Sequence, residues 1–264
     1  MLTKSFVSSA SCDLGARAVQ FNMNGGFQTE QQRGLIANGM QIANGTSMNR
    51  SNYNSRIFLL SPANLSGKRG KLVWGGISRC DLALKLRDGG APLGEVFSFV
   101  SGLYFRGKLA YGRAFARPPR NVADVLVITA SHGLMTPDTI VGIEELQAMA
   151  ASSIDEGEAT YREPLERDAR RLADKIGRCE VVLLGSVATQ KYAEPLLGIF
   201  GAKLMFPAEF AGRGDMSRGG LMLRAVRDGI PLTYVGLANS MRHGPRPPKL
   251  PKPLNASAAV KAAV

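Results

Sequence analysis

Residues 158–184 read EATYREPLERDARRLADKIGRCEVVLL, and the order of patterns within them decides the fold. Over residues 158–178, Leu165, Ala169, Leu172, Ala173 and Ile176 recur at helical spacing, with Arg and Asp on the opposite face. That is the single apolar stripe of a surface helix. The EVVLL of residues 180–184 is different: a short run of apolar residues with no polar alternate, the signature of a strand covered on both faces. A helix passed directly to a doubly buried strand is the repeating unit of an α/β sheet.

The same alternation continues outward in both directions. Upstream, DVLVITA (residues 124–130) is a second buried strand, closed by Ser131-His132-Gly133, and RIFLLS (residues 56–61) is a third, stopped at Pro62. Residues 81–87 fit a turn or two of helix, while residues 96–100 and 103–115 are apolar and aromatic without a decisive period. Downstream come a helix over residues 189–200 with Pro195 as a break point, a strand over 203–206, a helix over 217–227 and a strand over 231–235. The expected fold is therefore α/β: a single domain over residues 56–240, with a mainly parallel or mixed sheet flanked by helices. Residues 1–55, rich in Asn, Gly and Ser, lack a sustained apolar period and read as a poorly ordered extension. Residues 241–264 are Pro-rich, then Ala-rich, with five basic residues and no acid, and read as a flexible cationic tail.

Composition narrows the class. No apolar run among the 264 residues approaches the ~20 needed to cross a bilayer, and Cys12, Cys80 and Cys179 form neither a disulfide framework nor a metal knuckle. The expectation is a cytoplasmic protein with no membrane association, no metal and no cofactor. The net charge of +12 is unevenly placed. Residues 56–119 carry 11 basic and 3 acidic side chains and residues 205–264 carry 9 and 3, whereas residues 120–204 carry 9 and 13. Two basic segments that meet in space attract phosphates.

Ligands of such sheets bind beyond the carboxyl ends of the strands, and four loops stand out there. SPANLSGKRG (residues 61–70) offers Ser61, Asn64, Lys68 and Arg69 for phosphate contact, without being a Walker A loop. SHGLMTP (131–137) carries His132 as a candidate acid–base group. GSVATQKY (185–192) carries Ser186, Lys191 and Tyr192; Ser186 and Tyr192 are candidates for acid–base or orienting roles, and Ser186 is equally a helix N-cap. GRGDMSRGG (212–220) places Arg213 and Arg218 among glycines before a helix, a pattern suited to an anion. Arg106 and Lys108, interleaved with Tyr104, Phe105 and Tyr111, add phosphate contact beside stacking rings, or are the solvated side of a packed aromatic segment.

In order, these four loops resemble the YaaA-type peroxide-stress protein family. Leu59-Leu60-Ser61-Pro62-Ala63-Asn64 is similar to its Ser-Pro-Ala-Lys strand end, ITASHGLMTPDTI (128–140) to its Gly-Leu, Pro, Asp segment, residues 182–192 to its apolar strand before a Tyr, and residues 212–224 to its late basic helix start. Asn64 stands where that family has Lys. The resemblance spans residues 56–236 and implies an α/β fold, DNA binding and a role in limiting oxidative damage. The leading expectation is thus a nucleic-acid-binding protein of stress-response type. The alternative is an enzyme acting on a nucleobase, nucleotide or other small anionic metabolite in the same cleft, and a third reading is an interaction module that binds through its tails.

Overall fold

The computed structural model describes residues 55–75, 78–155, 157–186, 190–238, 240, 244–245, 247–248 and 250. The expected N-terminal extension (save Ser55), His243, residues 187–189 and most of the basic tail lie outside the described residues. In chain order the elements are β1 (Arg56–Leu60), α1 (Lys68–Trp74), α2 (Asp81–Asp88), β2 (Ala91–Pro92), α3 (Leu93–Ser101) and α4 (Leu103–Phe115). Then follow β3 (Val125–Ile128), β4 (Leu134–Met135), β5 (Ile140–Val141), α5 (Ile143–Ala151) and α6 (Ala159–Ile176). The chain continues with β6 (Glu180–Leu184), α7 (Gln190–Phe200), β7 (Leu204–Pro207), α8 (Asp215–Asp228) and β8 (Tyr234–Gly236).

Six strands form one mixed sheet in the order β4-β3-β1-β6-β7-β8. The inner four are parallel, with Leu59 of β1 level with Leu126 on one side and Leu183 on the other. The edge strands β4 and β8 run antiparallel to their neighbours. Side-chain alternation explains why β1 and β6 are apolar throughout. Phe58, Leu60, Val182 and Leu184 pack on one face, with α3, α4 and α8. Ile57, Leu59, Val181 and Leu183 pack on the other, with α6 and α7. Each strand is thus inside two hydrophobic layers at once.

The strands and the long helix of the opening stretch lie where their periodicity puts them. Other elements differ. Residues 93–115, whose period was ambiguous, are the helices α3 and α4; both are so largely buried that apolar residues appear on more than one side. α5 has no counterpart in the sequence reading. α7 runs through Pro195 instead of breaking there. Two loops are shorter than their glycine content implies: Lys68 and Arg69 open α1, and Arg218 sits inside α8, which starts at Asp215.

Candidate functional site

The connections of the neighbouring strands β1 and β6 leave the sheet for opposite faces, one toward α1–α4 and the other toward α7. Diverging connections of this kind leave a crevice between the carboxyl ends of the two strands. A cleft of about 360 Å³ opens at this end of the sheet, lined by Pro62–Ser66 after β1, Ala130 after β3, Ser152–Ile154 after α5, and Lys191 and Tyr192 on α7. Its size suits a small metabolite. The loop after β1 is held in shape by Asn64, whose Oδ1 accepts from the backbone N of Ser66 at 3.1 Å and from Ser66 Oγ at 2.7 Å. Asn64 is thus engaged in a local turn. Lys191 lies at the rim with Nζ 5.3 Å from the Tyr192 ring, and its backbone carbonyl accepts a hydrogen bond from Tyr161 Oη at 2.8 Å. Tyr192 is 6% exposed, and burial pushes its phenol above the usual range.

At the inner end of this loop lies a group with no outlet to solvent. Lys108 is completely buried on α4. Its Nζ donates to Ser61 O at 2.5 Å and lies 2.8 Å from Ser61 Oγ. It also sits 4.5 Å from the Tyr104 ring centroid and 4.9 Å from that of Phe105. Both hydrogen-bond partners given by the described residues belong to Ser61, and neither is a carboxylate. Burial of the ammonium therefore pulls Lys108 down to about 7, with Asp215 pulling weakly the other way. Beside it, Tyr104 Oη is buried with no hydrogen-bond partner among the described residues, and burial pushes this phenol up to about 12. The expectation of Lys108 as a solvated phosphate contact is corrected: it faces the interior because α4 turns it toward the end of β1.

The fourth loop joins the same neighbourhood from α8, since the charge of Asp215 is felt at Lys108, Tyr104 and Tyr192. Its two arginines are both engaged within the protein, and only Arg218 is buried. Arg218 is 6% exposed and donates through Nε and Nη2 to Phe210 O at 3.2 and 3.1 Å, with Asp215 3.5 Å from Nη1. Arg213 donates to Glu209 O at 3.0 Å and reaches Ser217 Oγ and Pro248 O. Pro248 belongs to the tail, as does Pro245, whose carbonyl packs against Gly212. These tail residues therefore rest on the start of α8. Arg218→Ala removes both side-chain donors to Phe210 O, which keeps only the Arg213 backbone N–H at 3.2 Å, and is expected to cost about 1–2 kcal/mol in urea unfolding. Arg213→Ala, with its partners nearer solvent, is expected to cost less than about 1 kcal/mol.

The remaining candidates scatter. Half-buried His132 follows β3, with Nδ1 2.9 Å from Ser131 Oγ and its backbone N donating to Thr129 Oγ1, but it does not line the cleft. Ser186 follows β6 next to residues outside the description, so its capping role is not visible. Lys68, Arg69 and Arg106 are exposed. The Arg69 guanidinium lies against Gly102 at the start of α4, one turn before Arg106, so these cations share a surface outside the cleft. Among the described residues no cluster of His, Cys, Asp or Glu fits a metal ion, and no helix is long and apolar enough to cross a membrane. Sequence reasoning missed Tyr104 as a site residue, and also Ser152 and Ser153, which carry no motif and reach the cleft only because α5 ends there. No family model, no curated protein and no solved structure matches the chain.

Proposed function

We propose that this chain binds a small phosphate- or carboxylate-bearing metabolite, a mononucleotide first among them, in the cleft beyond β1. The observation that supports this reading is the cleft's position. It opens where neighbouring parallel strands send their connections to opposite faces, and it combines hydroxyls and amides with Lys191, the one cation lining it among the described residues. Lys191 supplies charge to an anion, the backbone after Pro62 and the hydroxyl of Ser153 supply hydrogen bonds, and Tyr192 supplies an apolar wall.

Duplex binding, in the stress-response setting that the resemblance implies, is the second reading. It is favoured by the exposed Lys68, Arg69 and Arg106. It is weakened as a property of the cleft, because Lys108 and Arg218 are interior groups.

Titration calorimetry separates the two. AMP, ATP, ribose 5-phosphate and inorganic phosphate are tested against a 20-base-pair duplex over a salt series. One phosphate-bearing compound is expected to bind with unit stoichiometry and a shallow salt slope. Lys191→Ala is expected to weaken it about tenfold or more, the loss of one charged hydrogen bond. Duplex affinity that falls steeply with salt and is lost on combining Lys68→Ala, Arg69→Ala and Arg106→Ala, with none of the four compounds bound, overturns the metabolite reading.

A further inference from the structure

Ser61 Oγ and Lys108 Nζ face each other across 2.8 Å at the end of β1, where the next residue, Pro62, begins the stretch that lines the cleft, and binding an anion at the rim uses neither. We infer that they form a serine–lysine pair, with Ser61 Oγ as nucleophile and Lys108 Nζ as its base, acting on an acyl bond of a small anionic metabolite held in the cleft. The inference rests on the metabolite reading above.

The placement of the two side chains carries it. Ser61 immediately precedes the Pro62–Ser66 stretch that lines the cleft, and it keeps 5% exposure, whereas Lys108 has none. The nucleophile is thus the outer member and the base the shielded one, the arrangement that keeps water from protonating the base. A neutral amine has two N–H donors and one lone pair. As an ammonium, Nζ donates to both Ser61 O at 2.5 Å and Ser61 Oγ at 2.8 Å; as the neutral amine it keeps an N–H for Ser61 O and turns its lone pair to the Oγ–H proton. With Ser61 O fixing Nζ, the hydroxyl of the same residue meets the lone pair without a carboxylate to hold the lysine charged. On its other side Ser61 takes the space that a side chain at Gly185 would need. A Cβ there would fall 2.8 Å from Ser61 Cβ and 3.1 Å from Oγ. The Tyr104 ring, 4.5 Å from Nζ, carries a buried Oη without a hydrogen-bond partner among the described residues.

In the reaction Ser61 Oγ forms a bond to the acyl carbon while its proton passes to Lys108 Nζ. The bond from the acyl carbon to the leaving heteroatom breaks with its electron pair on the heteroatom, and the Lys108 ammonium returns the proton to it. Water then attacks the Ser61 ester with Lys108 again as base. The carboxylic acid leaves and Ser61 regains its proton. The net change is hydrolysis of one acyl bond.

Activity requires Lys108 as free amine, and its environment sets that near neutrality. Tyr104 and Phe105 from its own helix hold their rings 4.5 and 4.9 Å from the amine, and the charge of Asp215 on α8 reaches it. Of these, Asp215 is the charge that draws the amine back toward the protonated form, and burial opposes it.

The test uses the full chain and a fluorophosphonate probe, which phosphonylates an activated serine with loss of fluoride, followed by peptide mapping. The expected result is one adduct at Ser61, with a labelling rate that rises through a midpoint near pH 7. Ser61→Ala removes the adduct. Lys108→Met and Lys108→Arg each reduce labelling at least 100-fold. The arginine variant is informative because it keeps a donor for Ser61 O but has no lone pair to act as base. A tether without chemistry would be restored by arginine; a base is not. A folded wild type with no adduct at Ser61, or a folded Lys108→Met variant labelled at the wild-type rate, overturns the pair. Nucleotide titration of the same sample keeps the two ideas apart: binding without labelling removes the pair and leaves the cleft, and labelling without binding removes the nucleotide.

Discussion

Replacing Gly219 with valine is expected to destabilise the domain by about 3 kcal/mol or more, enough to unfold much of a marginally stable chain. Gly219 lies in the second turn of α8, where that helix crosses α4. A Cβ at Gly219 would sit 2.9 Å from Leu103 O and 3.0 Å from Tyr104 Cα. The contact is reciprocal, since a Cβ at Gly107 would sit 2.8 Å from Gly219 O. All of these are backbone atoms, so no rotamer change relieves the clash and the two helices must separate. Separation would open the layer that holds Lys108 and Tyr104. The neighbouring Gly220 is the control. A Cβ there meets only Leu250 Cδ1 at 3.8 Å. Gly220→Ala removes a helix-interior glycine at no steric cost and is expected to change stability by about −0.5 to +1 kcal/mol, with the gain more frequent. Urea unfolding of both variants checks this. Equal stability of wild type and Gly219→Val would show that the helices do not touch there.

The glycines of residues 212–220 show how far a sequence pattern reaches. Their density reads as backbone prepared to approach an anion. Gly219 does approach something closely, but it is the backbone of α4. A small residue reports that space is short without reporting what fills it. The same holds for Arg218. Among glycines it looks solvent-facing; once α8 begins at Asp215, helical phase turns it inward onto Phe210 O. The helix read over residues 217–227 already holds Arg218; which of its faces turns to the core is set by packing on Phe210 and α4, and no local signal carries that.

The sheet was legible for the opposite reason. β1, β3 and β6 are apolar at every position that must sit inside two layers, and that pattern needs no tertiary information. The four distinctive loops were legible as well, and the structure puts parts of three of them at the carboxyl end of the sheet and the fourth beside it. The pairing of Ser61 with Lys108 was not. The two are 47 residues apart, and no local pattern shows that the α4 residue most resembling a surface cation is the one aimed at the end of β1. Burial at the end of β1, against the rings of Tyr104 and Phe105, sets that lysine apart from the exposed Arg106.

That difference has a thermodynamic signature, and the domain is expected to become more stable as pH rises from 7 to 9. In the unfolded chain Lys108 binds its proton with the affinity of an exposed lysine, 10.5, whereas in the fold it releases the proton at about 7. Between these values the unfolded state holds the extra proton, so raising the pH favours the fold by up to ~1.4 kcal/mol per pH unit for this one group. Two pH units give roughly 2–3 kcal/mol. Below about 7 both states are protonated and this contribution is flat, with the cost of the buried ammonium present in full. Above pH 9 the trend is expected to weaken. Tyr104, Tyr111 and Tyr192 hold their protons more tightly in the fold than in the unfolded chain, and they oppose further gain as phenols begin to ionise. Cys179, which burial pushes up, acts in the same direction. Lys108→Met isolates the effect. Methionine keeps an unbranched chain against Tyr104 and Phe105, gives up the bond to Ser61 O, and cannot titrate. Its unfolding free energy is expected to be nearly level from pH 7 to 9, so that the variant compares best with wild type at pH 7 and worst at pH 9. Urea titrations of both proteins at half-unit intervals measure the slope. A wild-type slope equal to that of Lys108→Met across this window would mean that Lys108 keeps an ordinary proton affinity in the fold, and its role as a base at neutral pH would fall with it.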